Sequence, residues 1–280
     1  MIIEGIPLPG WAKRLGKPKN LVAIGLGFLL VFYVVPIFVL FFQSLNFGAG
    51  GLLENYRTAL SGIYITILLR SFYYGILTTG ATLVLGYILA YYISFRGTRK
   101  NLLLGLVVLP LWVAYIIRYL GIQLFFFPTG PFVAVFGTDF GLLFSTAGVV
   151  LGLMVVFLPF AILPIYHALQ SIDRDLVSAS RVLGAGQLRT IRSVVIPLSL
   201  SGVIAGGLIV FILATGSFLA PAVLGGPGNT MIANIIEQAF SSQFNLELAA
   251  ALAVVYTTLL LAVITVFNSY INIGEVLGEI

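Results

Sequence analysis

A chain of 280 residues of which 60% are hydrophobic and 8% charged holds more apolar side chain than a water-soluble core of that size can bury. Cysteine is absent, which excludes disulfides and thiolate metal sites. The net charge is +5, but the basic residues sit at the edges of apolar runs with no interleaved stacking platform, so nucleic acid is not the partner they imply.

Several apolar runs exceed the roughly 18 to 20 residues needed to cross a hydrocarbon core of about 30 Å. Six spans are predicted, near 21–43, 66–94, 102–126, 142–169, 198–224 and 248–271. The fold class is therefore all-α, a polytopic membrane protein. Helices satisfy every backbone amide within the segment, and the runs are too long and too uniformly apolar for barrel strands. One membrane domain is expected over 21–272, with a basic segment at 1–20 before it, a polar loop at 171–197 within it and a tail at 273–280.

Orientation follows from the basic clusters, because cytoplasmic loops are enriched in Lys and Arg. Lys13, Arg14, Lys17 and Lys19 precede the first span, Arg96, Arg99 and Lys100 follow the second, and Arg174, Arg181, Arg189 and Arg192 follow the fourth. The opposite loops hold Arg57 with Glu54, Asp139, Glu237 and Glu247. Both termini are predicted to be cytoplasmic.

In chain order, residues 1–20 place Trp11 beside Lys13 and Arg14, which suits either an interfacial helix at headgroup level or an unstructured positive anchor. The first apolar run passes twenty residues with no small-residue cleavage site, so it is read as a retained span. A turn from Phe47 leads to the short segment Glu54-Asn55-Tyr56-Arg57. The second span starts at Arg70-Ser71 and carries Gly75, Gly80 and Gly86, small residues that allow close approach of membrane helices.

The third span contains Pro110, Trp112 and Arg118. An arginine in a membrane run turns toward a bundle interior or an aqueous cavity, or else snorkels to the headgroups or bonds helix carbonyls; both readings stand. Pro159 and Pro164 interrupt the hydrogen-bond ladder of the fourth span and predict a bent helix. His167, at its end, suits an interfacial hydrogen-bonder better than a proton relay.

Between the fourth and fifth spans, Asp173 and Asp175 offer caps to a first helical turn and Gly184 can take the left-handed backbone that ends a short helix. A helix near 176–183 is predicted. A second helical pattern, Leu188, Ile191, Val194 and Val195, runs into Pro197, whose ring either fits the opening turn of the next membrane helix or kinks it. The fifth span then carries Gly202, Gly206 and Gly207 and ends in Phe218, Pro221 and Gly225-Gly226-Pro227. This end is either a gate or substrate contact of irregular backbone, or a kinked helix closing in a turn.

The loop Ser178-Ala179-Ser180, Gly184, Val194, Ile196 and Pro197 resembles the EAA loop of ABC importer permeases, with Ser178 in place of the glutamate. Leu53 to Tyr56 is similar to a Leu-x-Asn-Tyr element of that family, and Arg70-Ser71 with Thr79 to Gly86-Tyr87 is similar to its first core helix. The run from Ser217-Phe218 through Pro221 and Leu224-Gly225-Gly226-Pro227 to Thr230-Met231 resembles the spermidine/putrescine branch. Together with the Trp112 and Arg118 helix, these motifs cover residues 50–271 in family order.

The resemblance implies the type I importer permease fold and a subunit that forms half of a translocation pathway. It implies Asp175, Ser178, Ala179, Arg181, Leu183, Gly184 and Pro197 as the ATPase-docking residues and Trp112, Arg118, Phe218 and Pro221 as pathway or gate residues. Implied partners are two ATPase subunits, a second, related permease and an external solute-binding protein. The chain has no Walker-type phosphate loop, so it is expected to be no enzyme and to hold no cofactor, ATP and Mg being bound by the partner subunits. Polyamine-importing relatives carry acids about the outer end of the fifth span. Phe218 to Leu224 has none, so an anionic or neutral solute is expected unless Glu237, Glu247 or a sister subunit supplies the acid. The rivals are an ion-coupled secondary transporter and a non-transporting membrane assembly protein. The first would want intramembrane carboxylates or an inverted repeat, and neither is visible.

Overall fold

The computed structural model describes residues 18–45, 51–138 and 140–271, and within them every regular element is helical. The expectations for the amphipathic segment around Trp11, for the turn from Phe47 to Gly50, for Asp139 and for the tail at 273–280 fall outside the described residues.

Pro18–Leu29 and Val35–Ser44 join through a π turn at Leu30–Val34 to form α1. The short α2, Glu54–Ala59, leads into α3, Gly62–Tyr91, which continues through a π turn at Tyr92–Arg96. α4 is Lys100–Val108, α5 Tyr115–Phe126, α6 Pro131–Phe136 and α7 Thr146–Gln170. The polar loop forms α8, Arg174–Val182, and α9, Gln187–Thr190, the latter extended by turns at Ile191–Val195 and Ile196–Leu198. α10 is Leu200–Thr215, α11 Ile232–Ser241 and α12 Leu246–Ile271.

Five of these segments are long and apolar enough to cross a membrane: Gly25–Ser44, Gly62–Arg96, Tyr115–Phe136, Thr146–Gln170 and Leu246–Val266. The pair Gln187–Leu198 and Leu200–Thr215, bent by 66°, makes a sixth where the two are taken as one broken span.

One span differs from the sequence expectation, and another breaks at the end where the sequence predicts irregular or kinked backbone. The run at 102–126 is not one helix. The ring of Pro110 removes a backbone donor, the chain tightens into a 3-10 turn at Leu109–Trp112, and Val113 and Ala114 are extended before α5 begins. The arginine therefore sits in the first turn of a new helix and not deep along an old one. The run at 198–224 is interrupted at its far end, as the residues from Phe218 through Pro227 predict: α10 closes at Thr215, and a separate π turn, Pro221–Gly225, carries the rest. Uniform hydropathy reports immersion, not helix continuity, so neither break shows in it.

α3, α7 and α10 form the core, and small residues let them approach. A side chain on Gly202 would start 2.5 Å from the carbonyl oxygen of Pro164, and one on Gly206 would start 3.1 Å from that of Ala161. Such contacts replace the hydrophobic drive that lipid removes. α7 stays helical through Pro159 and Pro164, opened by the Ser145 hydroxyl accepting from the Gly148 amide at 3.2 Å. A second cluster, with Leu68, Ile232, Leu248 and Leu252 at its centre, joins α12 to α2, α11 and the start of α3.

Candidate functional site

Two regions carry the chemistry: the polar loop at the basic end of the bundle and the hairpin at the far end of α10.

In the loop, Asp173 caps α8, its Oδ1 accepting from the Asp175 amide at 2.9 Å. The cap starts the helix two residues before the predicted 176. Leu183 is the terminal cap residue, and Gly184 takes φ +86°, a conformation that costs an L side chain about 1–2 kcal/mol. The Gly184 amide donates to Arg181 O at 2.9 Å and the Ala185 amide to Ser180 O at 3.0 Å, closing the turn. The hydroxyls of Ser180 and Thr190, 2.9 Å apart, brace α8 against α9, while Val177 and Val195 bury into the bundle.

That brace fixes an apolar tip. Val182 and Leu183 are each 87% exposed and Leu188 is 85% exposed; the first two lie outside every membrane-length helix, and Leu188 stands in the first turn of the bent pair. Exposed aliphatics on a capped, braced polar loop form an apolar patch held outside the packed bundle. Asp175 and Ala179 are exposed on α8. Ser178 turns its hydroxyl back to Arg174 O at 3.0 Å, and Arg181 lines a cleft on the flank of α8. Pro197 lies in the last turn before the bend at Ser199.

At the far end, Gly226 adopts φ +63° and ψ −179°, a region open only to glycine. It turns the chain so that Asn229 becomes a hub. The Asn229 Oδ1 accepts from the Tyr74 hydroxyl at 2.7 Å and from the Thr146 hydroxyl at 3.0 Å, and its Nδ2 donates to Phe144 O at 3.2 Å. Arg70 donates to Gly228 O at 2.6 Å, and the Ser71 hydroxyl accepts from the Ile232 amide at 2.8 Å. Arg70 and Ser71, in the third turn of α3 and not at its start as the sequence suggested, thus hold the hairpin that follows α10.

α5 completes the scaffold. Arg118 donates from Nη1 to Val156 O at 3.2 Å with its guanidinium 4.6 Å from the Tyr115 ring, and its Nε is buried without a partner among the described residues. Gln123 donates to Val223 O at 3.1 Å. Pro221 is buried in the π turn. Phe218 instead lines a cleft of about 340 Å³ with Leu40, Gln43, Glu237, Phe240 and Leu246. The Ser241 hydroxyl donates to Glu237 at 2.6 Å.

The four residues expected to line a pathway or gate are therefore not one constellation. Trp112 is 88% exposed at the end of its 3-10 turn, Arg118 belongs to the α5–α7 contact, and Phe218 alone faces the far-end cleft. The carboxylate missing from Phe218 to Leu224 reaches this cleft from α11 as Glu237. Sequence reading missed Asn229 and Gln123. The turn-forming run Gly225-Gly226-Pro227-Gly228-Asn229 marks the first, whereas nothing local marks the second.

Residues 82–273 match the family model described as binding-protein-dependent transport system inner membrane component. The spermidine/putrescine transport system permease protein PotB of Escherichia coli K12 is 30% identical over 262 residues, covering 90% of each chain. Its Haemophilus influenzae counterpart is 30% identical over 263 residues, covering 89% of this chain and 92% of the relative. A bacterial ABC transporter involved in the import of the acidic polysaccharide alginate has a chain that superposes with TM-score 0.74 at 16% identity, covering 94% of this chain and 98% of that one. The MetNI methionine ABC transporter in an inward-facing conformation gives TM-score 0.56 at 19% identity, covering 77% of this chain and 99% of that one. These two likenesses speak to the fold.

Proposed function

This chain belongs to the binding-protein-dependent transport system inner membrane components, as a non-enzymatic permease subunit of an ABC importer, and on that footing we propose how it is oriented, driven and loaded. The basic edge, with α8 and both termini, faces the cytoplasm, following the distribution of Arg and Lys. The tip formed by Val182, Leu183 and Leu188 seats in one of two ATPase subunits, which bind ATP and Mg; this chain holds no cofactor. Closure of the ATPases moves α8, and the Ser180–Thr190 brace passes that motion to the bent helix that continues as α10. A second, related permease completes the pathway, and a solute-binding protein delivers to the far end.

The solute we propose is a small organic cation of the polyamine class. The observation that carries this is Glu237 in one cleft with Phe218 and Phe240, a carboxylate beside aromatic and aliphatic walls. Such a lining suits an ammonium group on a methylene chain. The PotB relatives, named for spermidine and putrescine, support the same class. Vesicles containing the reconstituted importer should accumulate labelled putrescine or spermidine in an ATP-dependent manner, and Glu237→Gln should lower that uptake. Uptake indifferent to Glu237→Gln, or uptake of an anionic solute instead, would refute the cation assignment and leave the permease assignment intact.

A further inference from the structure

Beside the docking tip, not at it, lies a second opening. A cleft of about 470 Å³ separates the flank of α8 from the end of α3, lined by Tyr91, Phe95, Arg96, Arg174, Ser178 and Arg181 among others, with no carboxylate among the described residues of its lining. Its volume falls within the roughly 300–1,000 Å³ of small-ligand pockets.

The helix geometry builds this cleft from two short patterns. Arg174, Ser178 and Arg181 follow one another at four and three residues, so they share one face of α8. Tyr91 and Phe95 stand four apart at the end of α3, their rings stacked with centroids 4.9 Å apart. Arg174 is held in place between them and the bundle, its guanidinium 4.0 Å from the Phe95 ring and its Nη2 donating to Ser94 O at 3.0 Å. A guanidinium fixed by a ring and a carbonyl still has charge to neutralise, and Arg96 and Arg181 add two more charges of the same sign. Like charges gather in one cleft at a cost that an anion between them removes.

Depth identifies the anion. Tyr91 to Arg96 is the last turn of the membrane-length segment Gly62–Arg96, so the cleft opens where aromatic and basic residues meet lipid headgroups. Basic pockets between membrane helices at this edge suit phosphate headgroups. The exposed apolar tip at Val182, Leu183 and Leu188 does not line the cleft, whereas Ser178 and Arg181, which the resemblance places among the docking residues, do, so a headgroup there would share this edge of α8 with the motor.

We propose that the Arg96, Arg174 and Arg181 cleft binds the phosphate headgroup of an anionic phospholipid, which ties the docking helix to the end of α3. The proposal rests on the membrane-spanning reading of this chain but not on the identity of its motor or solute.

The test is native mass spectrometry of the purified full-length chain in detergent, titrated with phosphatidylglycerol or phosphatidylcholine. ATPase co-purification from cells is measured in parallel. Phosphatidylglycerol should be retained about tenfold better than phosphatidylcholine. The preference should vanish in the triple variant R96Q/R174Q/R181Q, fall in R96Q/R181Q, which spares the Arg174 contacts, and persist in R189Q, whose position does not line the cleft. Equal retention of the two lipids, or a preference that survives the triple variant, would overturn the proposal. So would displacement by glycerol phosphate at concentrations equal to the lipid, which would make the ligand a soluble anion. A triple variant that keeps its lipid but loses the ATPase would assign the cleft to an acidic group of the motor instead. A chain that keeps the lipid preference but never co-purifies an ATPase would count against the motor-docking reading alone.

Discussion

Tyr74 and Asn229 are 155 residues apart in the chain, and their side chains meet at 2.7 Å, with the Thr146 hydroxyl joining both. The bond ties the hairpin after α10 to the middle of α3 and the start of α7, beside the Arg70–Gly228 and Ser71–Ile232 bonds that also hold the hairpin to α3. Asn229→Ala removes the shared acceptor and the donor to Phe144 O. A loss of about 1–3 kcal/mol is expected from the buried partners left behind, read as a lower thermal unfolding midpoint in detergent. Tyr74→Phe removes a single hydroxyl, so its loss should be smaller, near the 0.6 kcal/mol average for hydrogen bonds between membrane helices. An unchanged midpoint in Asn229→Ala would show that the hub orders nothing.

The left-handed backbone of Gly184 makes a graded prediction. Gly184→Ala should cost about 1 kcal/mol and weaken ATPase co-purification without abolishing it. Gly184→Pro cannot reach φ +86° and also deletes the amide that bonds Arg181 O, so it should lose the ATPase while the membrane helices still fold. Co-purification of wild-type amounts of ATPase with Gly184→Pro would remove α8 from the docking surface.

How much of this was legible follows the range of the interaction. α8 could be read because its determinants are local: an aspartate that caps, a face of aliphatics, a glycine that stops. The all-α membrane fold could be read because apolar length reports immersion directly. The interruption at Val113 and Ala114 could not, since Leu, Val, Trp and Ala there look the same to hydropathy in a helix or out of one. Nor could the Asn229 hub or the entry of Glu237 into the Phe218 cleft, because each pairs residues from different helices and no alternation along the chain encodes which helices are neighbours.

The docking tip should separate stability from assembly. Val182 and Leu183 are almost fully exposed, so replacing both with serine removes little packing, and the unfolding midpoint should stay within about 0.5 kcal/mol of wild type. ATPase recovery in a pull-down should fall sharply, because the same side chains would be buried by the partner. A pair of substitutions that unfolds the chain would show the tip to be part of the core.

Gly202 tests the opposite case, in which packing is everything and the partner surface is untouched. Its missing side chain admits the Pro164 carbonyl oxygen, which would stand 2.5 Å from a Cβ, with the Ala168 Cβ at 2.6 Å. Both obstacles belong to α7, one being backbone and the other a side chain too short to rotate away. Gly202→Val must therefore push α10 off α7, at a cost of about 1–3 kcal/mol for an overpacked contact. The unfolding midpoint should drop and transport with it. Gly105→Val provides the comparison, because a Cβ there meets nothing within 4 Å, and should leave the midpoint where it is. Equal midpoints for the two variants would mean that α7 and α10 do not pack as closely as this contact requires.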